Sequence, residues 1–200
     1  MSNSKKLSGG QLAGGNSTTK REENDFYATN PETLILFLNE FHKEHNLKGD
    51  ILEPCCGQGH ISKVLEEIYS DNNVYSTDLI DREYGEGGID FLTHNYNQKF
   101  GTVITNPPFS LAKEFIEKGL EISDKYVIML CKIQLLEGVK RKEMFEKTPL
   151  KYVYVHTKRQ ATWKDGNPKD TNGKNWATTM CLAWFVWDKN YIGEPMIRWI

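Results

Sequence analysis

The sequence predicts an α/β domain built on a mostly parallel sheet with an antiparallel last strand. Three observations carry this expectation. Between Gly49 and Phe145, short β-type runs alternate with segments whose apolar residues recur at helical spacing, as in strands joined by crossover helices. A glycine loop, Cys55-Cys56-Gly57-Gln58-Gly59, joins the first of these strands to a helix. The chain then changes pattern. Leu150 to His156 and Thr178 to Asp188 are two strand-like runs with no helix between them, and strands connected without a crossover pair antiparallel.

Each element has a local reason. Residues 1–24 are rich in Ser, Gly, Asn, Thr and Lys. They cannot bury enough apolar surface to offset their ordering entropy, so a flexible tail is expected ahead of one domain over 25–200. Asn30-Pro31 reads as helix cap and first helical residue, with Glu32 in the first turn. Leu34, Phe37, Leu38 and Phe41 then mark an apolar helix face. Gly49 to Glu53 is a strand entering the glycine loop. Ile61, Val64, Leu65 and Ile68 mark a second helix, Asn73 to Asp78 a strand, and Phe100 to Thr105 another. Ser110 reads as the cap of a helix carrying Leu111, Phe115, Ile116 and Leu120. Tyr126 to Leu130 is a buried strand, and a helix runs from Val139 to Phe145.

Composition narrows the function. The 200 residues carry a net charge of −2, so no global basic field favours nucleic acid and any such contact must be local. No apolar run reaches membrane-spanning length. The four cysteines, Cys55, Cys56, Cys131 and Cys181, have no zinc-ligand spacing. They read as reduced thiols of a cytoplasmic protein, with no metal site expected.

The chemistry concentrates in two loops. Gly57 and Gly59 permit a tight turn and close approach of a ligand to the backbone, but Ser62 stands where a dinucleotide loop has its third glycine. Glu53 at the strand end suits a cationic ligand better than a phosphate. Asp78 ends the next strand and is placed to hold ribose hydroxyls. Asp90 and Phe91 follow at what reads as the next strand end, where Asp90 is placed to accept from an adenine amine and Phe91 to pack on the ring. The second loop is Asn106-Pro107-Pro108-Phe109, directly after Thr105. Two prolines fix two φ angles and remove two donors, and Pro107 pushes Asn106 towards an extended conformation. The stiff corner that results offers an amide oxygen, free carbonyls and an aromatic face. It fits a planar amine whose two N–H groups go to Asn106 and the Pro107 carbonyl while Phe109 stacks on the ring.

This order of motifs resembles the small phage and prophage family of adenine-specific DNA methyltransferases, over residues from about 25 to the C-terminus. Phe26-Tyr27-Ala28-Thr29-Asn30-Pro31 is similar to the family's N-terminal motif, with Asn30 interposed before the proline. Glu53 to Gly59, Leu136-Glu137-Gly138 with Arg141 and Phe145, and the ending from Trp184 to Ile200 also resemble family segments. The resemblance implies a class I, Rossmann-like methyltransferase fold with a seven-stranded sheet in the order 3-2-1-4-5-7-6. It implies S-adenosylmethionine as cofactor, held by Tyr27, Thr29, Glu53, Gly57, Gly59, Asp78, Asp90 and Phe91. Asn106, Pro107, Pro108 and Phe109 would be catalytic, with DNA adenine as substrate. Residues 79–89 are short for a full crossover helix, so that edge is expected to be pared down.

The segment from Thr157 to Ala177 is long for a hairpin loop. It mixes Lys158, Arg159, Lys164, Lys169 and Lys174 with Trp163 and Trp176, a composition suited to phosphate contact and base stacking. Arg159, Trp163 and Lys164 are the expected DNA-binding residues, and a solvated loop pinned by its tryptophans is the alternative. Methylation of RNA or of a protein glutamine, an inactive nucleotide-binding module, and a nicotinamide-dependent oxidoreductase are the competing readings.

Overall fold

Strands that stay buried along their whole length on both faces must sit in the middle of a sheet. The computed structural model, which describes residues 27–47, 49–164 and 166–200, places them there. After β1 (Tyr27–Ala28) come α1 (Pro31–Phe41), β2 (Ile51–Glu53), α2 (Ser62–Ile68), β3 (Val74–Ser76) and β4 (Phe100–Thr105). Then follow α3 (Ala112–Ile122), β5 (Ser123–Lys132), α4 (Val139–Lys147), β6 (Leu150–Val155), β7 (Trp163–Lys164), β8 (Leu182–Asp188) and β9 (Met196–Trp199). The main sheet has seven strands in the order β3-β2-β4-β5-β8-β6-β9. β8 runs antiparallel to both β5 and β6, while the other pairings are parallel.

Every residue of β8 is buried, and alternate side chains serve opposite layers. Trp184 and Val186 join Leu34, Phe37, Leu38 and Phe41 of α1 and Leu65 of α2 in one core. Phe185 and Trp187 join Phe115 and Ile116 of α3 and Met144 of α4 in the other. The start of α1 is as the sequence implied: the Asn30 side chain accepts from the Glu32 N–H at 3.0 Å, and Pro31 is the first helical residue. Ser110 does not cap α3. Residues 109–111 form a 3₁₀ turn first, and α3 begins at Ala112 without a side-chain cap.

The expected strand order holds for six strands and changes at the edges. No strand follows β3 at residues 79–90, where a single bridge between Thr77 and Glu86 remains. A parallel crossover takes a dozen or more residues. This stretch instead turns back on itself, with Gly85 and Gly88 at positive φ. Asp90 therefore ends no strand, contrary to expectation. Its side chain accepts from the Leu92 N–H at 3.0 Å and opens a turn. The seventh strand is β9, added in parallel to β6 at the opposite edge. The tail expected over 1–24 lies outside the described residues.

Candidate active site

Loops at the carboxyl ends of parallel strands form the ligand edge of such sheets. Here β2 delivers the glycine loop to that edge. Gly57 and Gly59 have φ of 55° and 80°, a region other residues enter at a cost. The Gly57 N–H donates to the Asp78 carboxylate at 2.8 Å, and the Ile80 N–H donates to its other oxygen at 2.9 Å. Asp78 thus braces the loop and keeps acceptor capacity for a hydroxyl. Tyr84 covers the outer side: a Cβ on Gly59 would lie 2.5 Å from its ring. Its hydroxyl donates to Glu66 at 2.7 Å, and Lys63 lies 4.8 Å from its ring centroid.

Glu53 sits beneath this loop, fully buried, and accepts from the Ser62 hydroxyl, which in turn accepts from Ser76 at 2.7 Å. Burial pushes its carboxyl from 4.5 up to about 8, against the pull of the Ser62 hydrogen bonds. The folded protein therefore holds a proton that the unfolded chain releases. This contribution to stability is present below about pH 4.5 and is lost as pH rises to about 8. Glu53→Gln should abolish that slope. Thermal melts across this window test it, and parallel curves for wild type and variant would show that Glu53 is not held neutral. Burial likewise raises the Cys55 thiol and lifts Cys56 to about 12, so both loop thiols stay protonated near neutral pH and are poor nucleophiles.

The corner after β4 lies on the same edge. Asn106 and Phe109 are half-buried, Pro107 is buried and Pro108 is exposed. The Asn106 amide nitrogen donates to the Thr29 hydroxyl at 3.1 Å. That bond commits the nitrogen and leaves Oδ1 to accept. Lys132, at the end of β5, places its ammonium 5.0 Å from the Phe109 centroid.

The long segment between β6 and β8 is not a free-standing hairpin. β7 pairs antiparallel with β1, Tyr27 opposite Lys164 and Ala28 opposite Trp163. Trp163 meets the His60 ring edge-on at 5.6 Å. Gly166 lies so close to Gln58 that an added Cβ would stand 2.0 Å from its Oε1. This strap therefore roofs the glycine loop. Beyond it, Asp170 accepts from the Asn172 and Lys174 N–H groups, and Trp176 donates to the Asn167 carbonyl at 2.7 Å. Gly166 also has φ of 73°. Gly166→Ala should cost about 1–2 kcal/mol through left-handed strain and displace Gln58. Faster amide exchange at the β1–β7 ladder would register it, and exchange unchanged from wild type would show that the strap is not held at this point.

The structure brings Thr29 to Asn106, Asp78 to Gly57, and Trp163 to the glycine loop. Arg159 and Lys164 stay exposed. Phe91 is the exception. It is 2% exposed, with Phe115 at 4.9 Å and Tyr96 at 6.1 Å. Its ring is already covered, so the expectation that it packs on a ligand's ring is corrected: it is a core residue beneath the site. Gln58, Tyr84 and Lys132 shape the site without any motif signal. His60 reads from sequence as a lone structural or surface histidine, and its packing on Trp163 emerges only from the fold. His156 is buried and held neutral, pushed down to about 4.

No protein-family model matches the chain, and no curated protein matches it in sequence. Solved structures match its fold. A Listeria monocytogenes protein described as a class I S-adenosylmethionine-dependent methyltransferase superposes with a TM-score of 0.63 at 12% identity, over 90% of this chain and 68% of that one. A modification subunit of a type I restriction enzyme from Vibrio vulnificus gives 0.54 at 12% identity, over 86% of this chain and 46% of that subunit. Magnesium protoporphyrin IX methyltransferase from Synechocystis, crystallised with S-adenosylmethionine, gives 0.52 at 13% identity, over 80% and 79%. The fold is that of the class I methyltransferases.

Proposed function

We propose that the chain is an S-adenosylmethionine-dependent methyltransferase acting on the exocyclic N6 amine of adenine in DNA. One observation carries the reading: Asn106-Pro107-Pro108-Phe109 stands at the carboxyl end of β4 with its amide nitrogen tied to Thr29, so an acceptor oxygen is left for an amine. The glycine loop supports the cofactor assignment. Its positive-φ glycines hold a tight turn that exposes the backbone to a ligand, and the Asp78 carboxylate beside them matches a ribose. Tyr27, Thr29, Gly57, Gly59 and Asp78 would hold the cofactor, with Glu53 supporting the loop from below and Asp90 supporting the turn beside it. The bound cofactor would supply an electrophilic methyl group.

The residues then act by position. Asn106 Oδ1 and the Pro107 carbonyl accept the two amine hydrogens, which draws the nitrogen towards pyramidal geometry and frees its lone pair. Pro108 stiffens the corner, and Phe109 stacks on the base. The protonated loop thiols take no covalent part. Arg159 and Lys164, exposed on the strap, supply phosphate contacts, and Trp163 joins them to the cofactor loop. The restriction-modification subunit among the fold matches favours a DNA substrate. Tritiated methyl transfer from S-adenosylmethionine to DNA, RNA and protein, followed by nucleoside analysis, tests the reading. Label in N6-methyladenine of DNA is expected. Label only in RNA or in glutamine would reassign the substrate, and none in any would leave only the fold.

A further inference from the structure

Three apolar side chains stand out in solvent on the edge that carries Asn106. Leu111 ends the 3₁₀ turn that Phe109 opens, and Leu136 ends the 3₁₀ turn that continues β5 past Lys132. Val139 opens α4. They are 40%, 45% and 92% exposed. The surrounding sequence is basic on balance: Lys132 precedes Leu136, and Lys140, Arg141 and Lys142 follow Val139, with one exposed acid, Glu137, between the two apolar residues. The first turn of α4 has no acidic residue, and Gly138 gives it no side-chain cap. Cations there oppose the helix dipole, and Lys142 recovers part of that cost in an ion pair with Glu146 one turn on, at 3.5 Å. Arg141 nevertheless holds the segment in place, donating to the Gln134 carbonyl at 2.7 Å.

We propose that Leu136 and Val139 form an apolar wedge that enters duplex DNA beside the target nucleotide and fills the space its base leaves. The inference rests on the amine-methyltransferase reading above. In a duplex the adenine amine is paired, so the base must leave the stack before Asn106 can reach it. The gap left behind favours an apolar side chain, and wedges of this type enter between base steps. A wedge needs exposed aliphatic tips with cations for the adjacent phosphates, and the segment after β5 provides both. Two aliphatic tips set among charged residues are too small a patch to be a continuous apolar face for a protein partner.

The test uses the full chain carrying Leu136→Ser and Val139→Ser. Both side chains are exposed, so folding should be retained. Methyl transfer is measured on a matched duplex, on its adenine strand alone, and on the duplex with a mismatch opposite the adenine. The matched-duplex rate should fall at least about tenfold, the single-strand rate should be unchanged, and the mismatch, which is easier to open, should restore most of the loss. An unchanged duplex rate, or an equal fall on duplex and single strand, would overturn the wedge. So would sedimentation showing a wild-type dimer that the variant loses, since a second copy would then occupy the patch. A wild type active on single strands alone would overturn the wedge and leave the reaction standing. A wild type that methylates no DNA would overturn both.

Discussion

Asn106→Ala should lower methyl transfer by at least about a hundredfold, the scale of deleting one preorganised contact to the reacting group. Cofactor affinity should stay nearly intact. The reason is structural: the only polar contact of the Asn106 side chain among those described is with Thr29, and its remaining acceptor is assigned to the target amine. Asp78, which braces the glycine loop, is untouched by the change. Single-turnover rates at saturating S-adenosylmethionine, alongside calorimetric titration of the cofactor, separate the two effects. A variant that methylates DNA at the wild-type rate would exclude Asn106 from the chemistry. One that loses cofactor binding in parallel would place it in the cofactor site.

Trp184→Ala should destabilise the fold by about 3–5 kcal/mol, the range for truncating a large buried aromatic. Trp184 lies on β8, between Leu130 of β5 and Tyr154 of β6. It stacks on Phe37 at 5.2 Å, and its indole N–H donates to the Thr33 carbonyl at 3.1 Å. Truncation opens a cavity beneath α1 and leaves that carbonyl short of a donor. The effect reaches the site, because the chain entering α1 carries Thr29, the partner of Asn106. Urea unfolding followed by far-UV circular dichroism gives the magnitude. A loss under about 1 kcal/mol would mean the layer collapses to refill the space.

Much of this was legible along the chain because its causes are local. The Asn30 cap needs only the next two residues. The Asn106-Pro107-Pro108-Phe109 corner needs only the prolines' fixed φ and their missing donors. The shortness of residues 79–89 signalled a pared-down edge, although the strand expected to end at Asp90 is absent. Alternating strands and helices gave the parallel sheet, and two late strands without a helix gave the antiparallel β8.

What the sequence determined, then, is the central strands and helices of the sheet and the two loops proposed to carry the chemistry. Tertiary structure decided where distant segments meet. Phe91 stands beside Asp90 in a pattern that suits a ligand, yet Phe115 and Tyr96 take up its ring. Glu53 reads as a carboxylate for a cation, yet full burial keeps it protonated near neutral pH, against the pull of the Ser62 hydrogen bond. The strap reads from sequence either as a basic hairpin for nucleic acid or as a loop pinned by its tryptophans, and only the fold closes β7 on β1 and lays Trp163 over His60. The physical reason is common to all three. Burial and pairing between residues far apart in the chain arise from packing the whole sheet, and no local propensity encodes them.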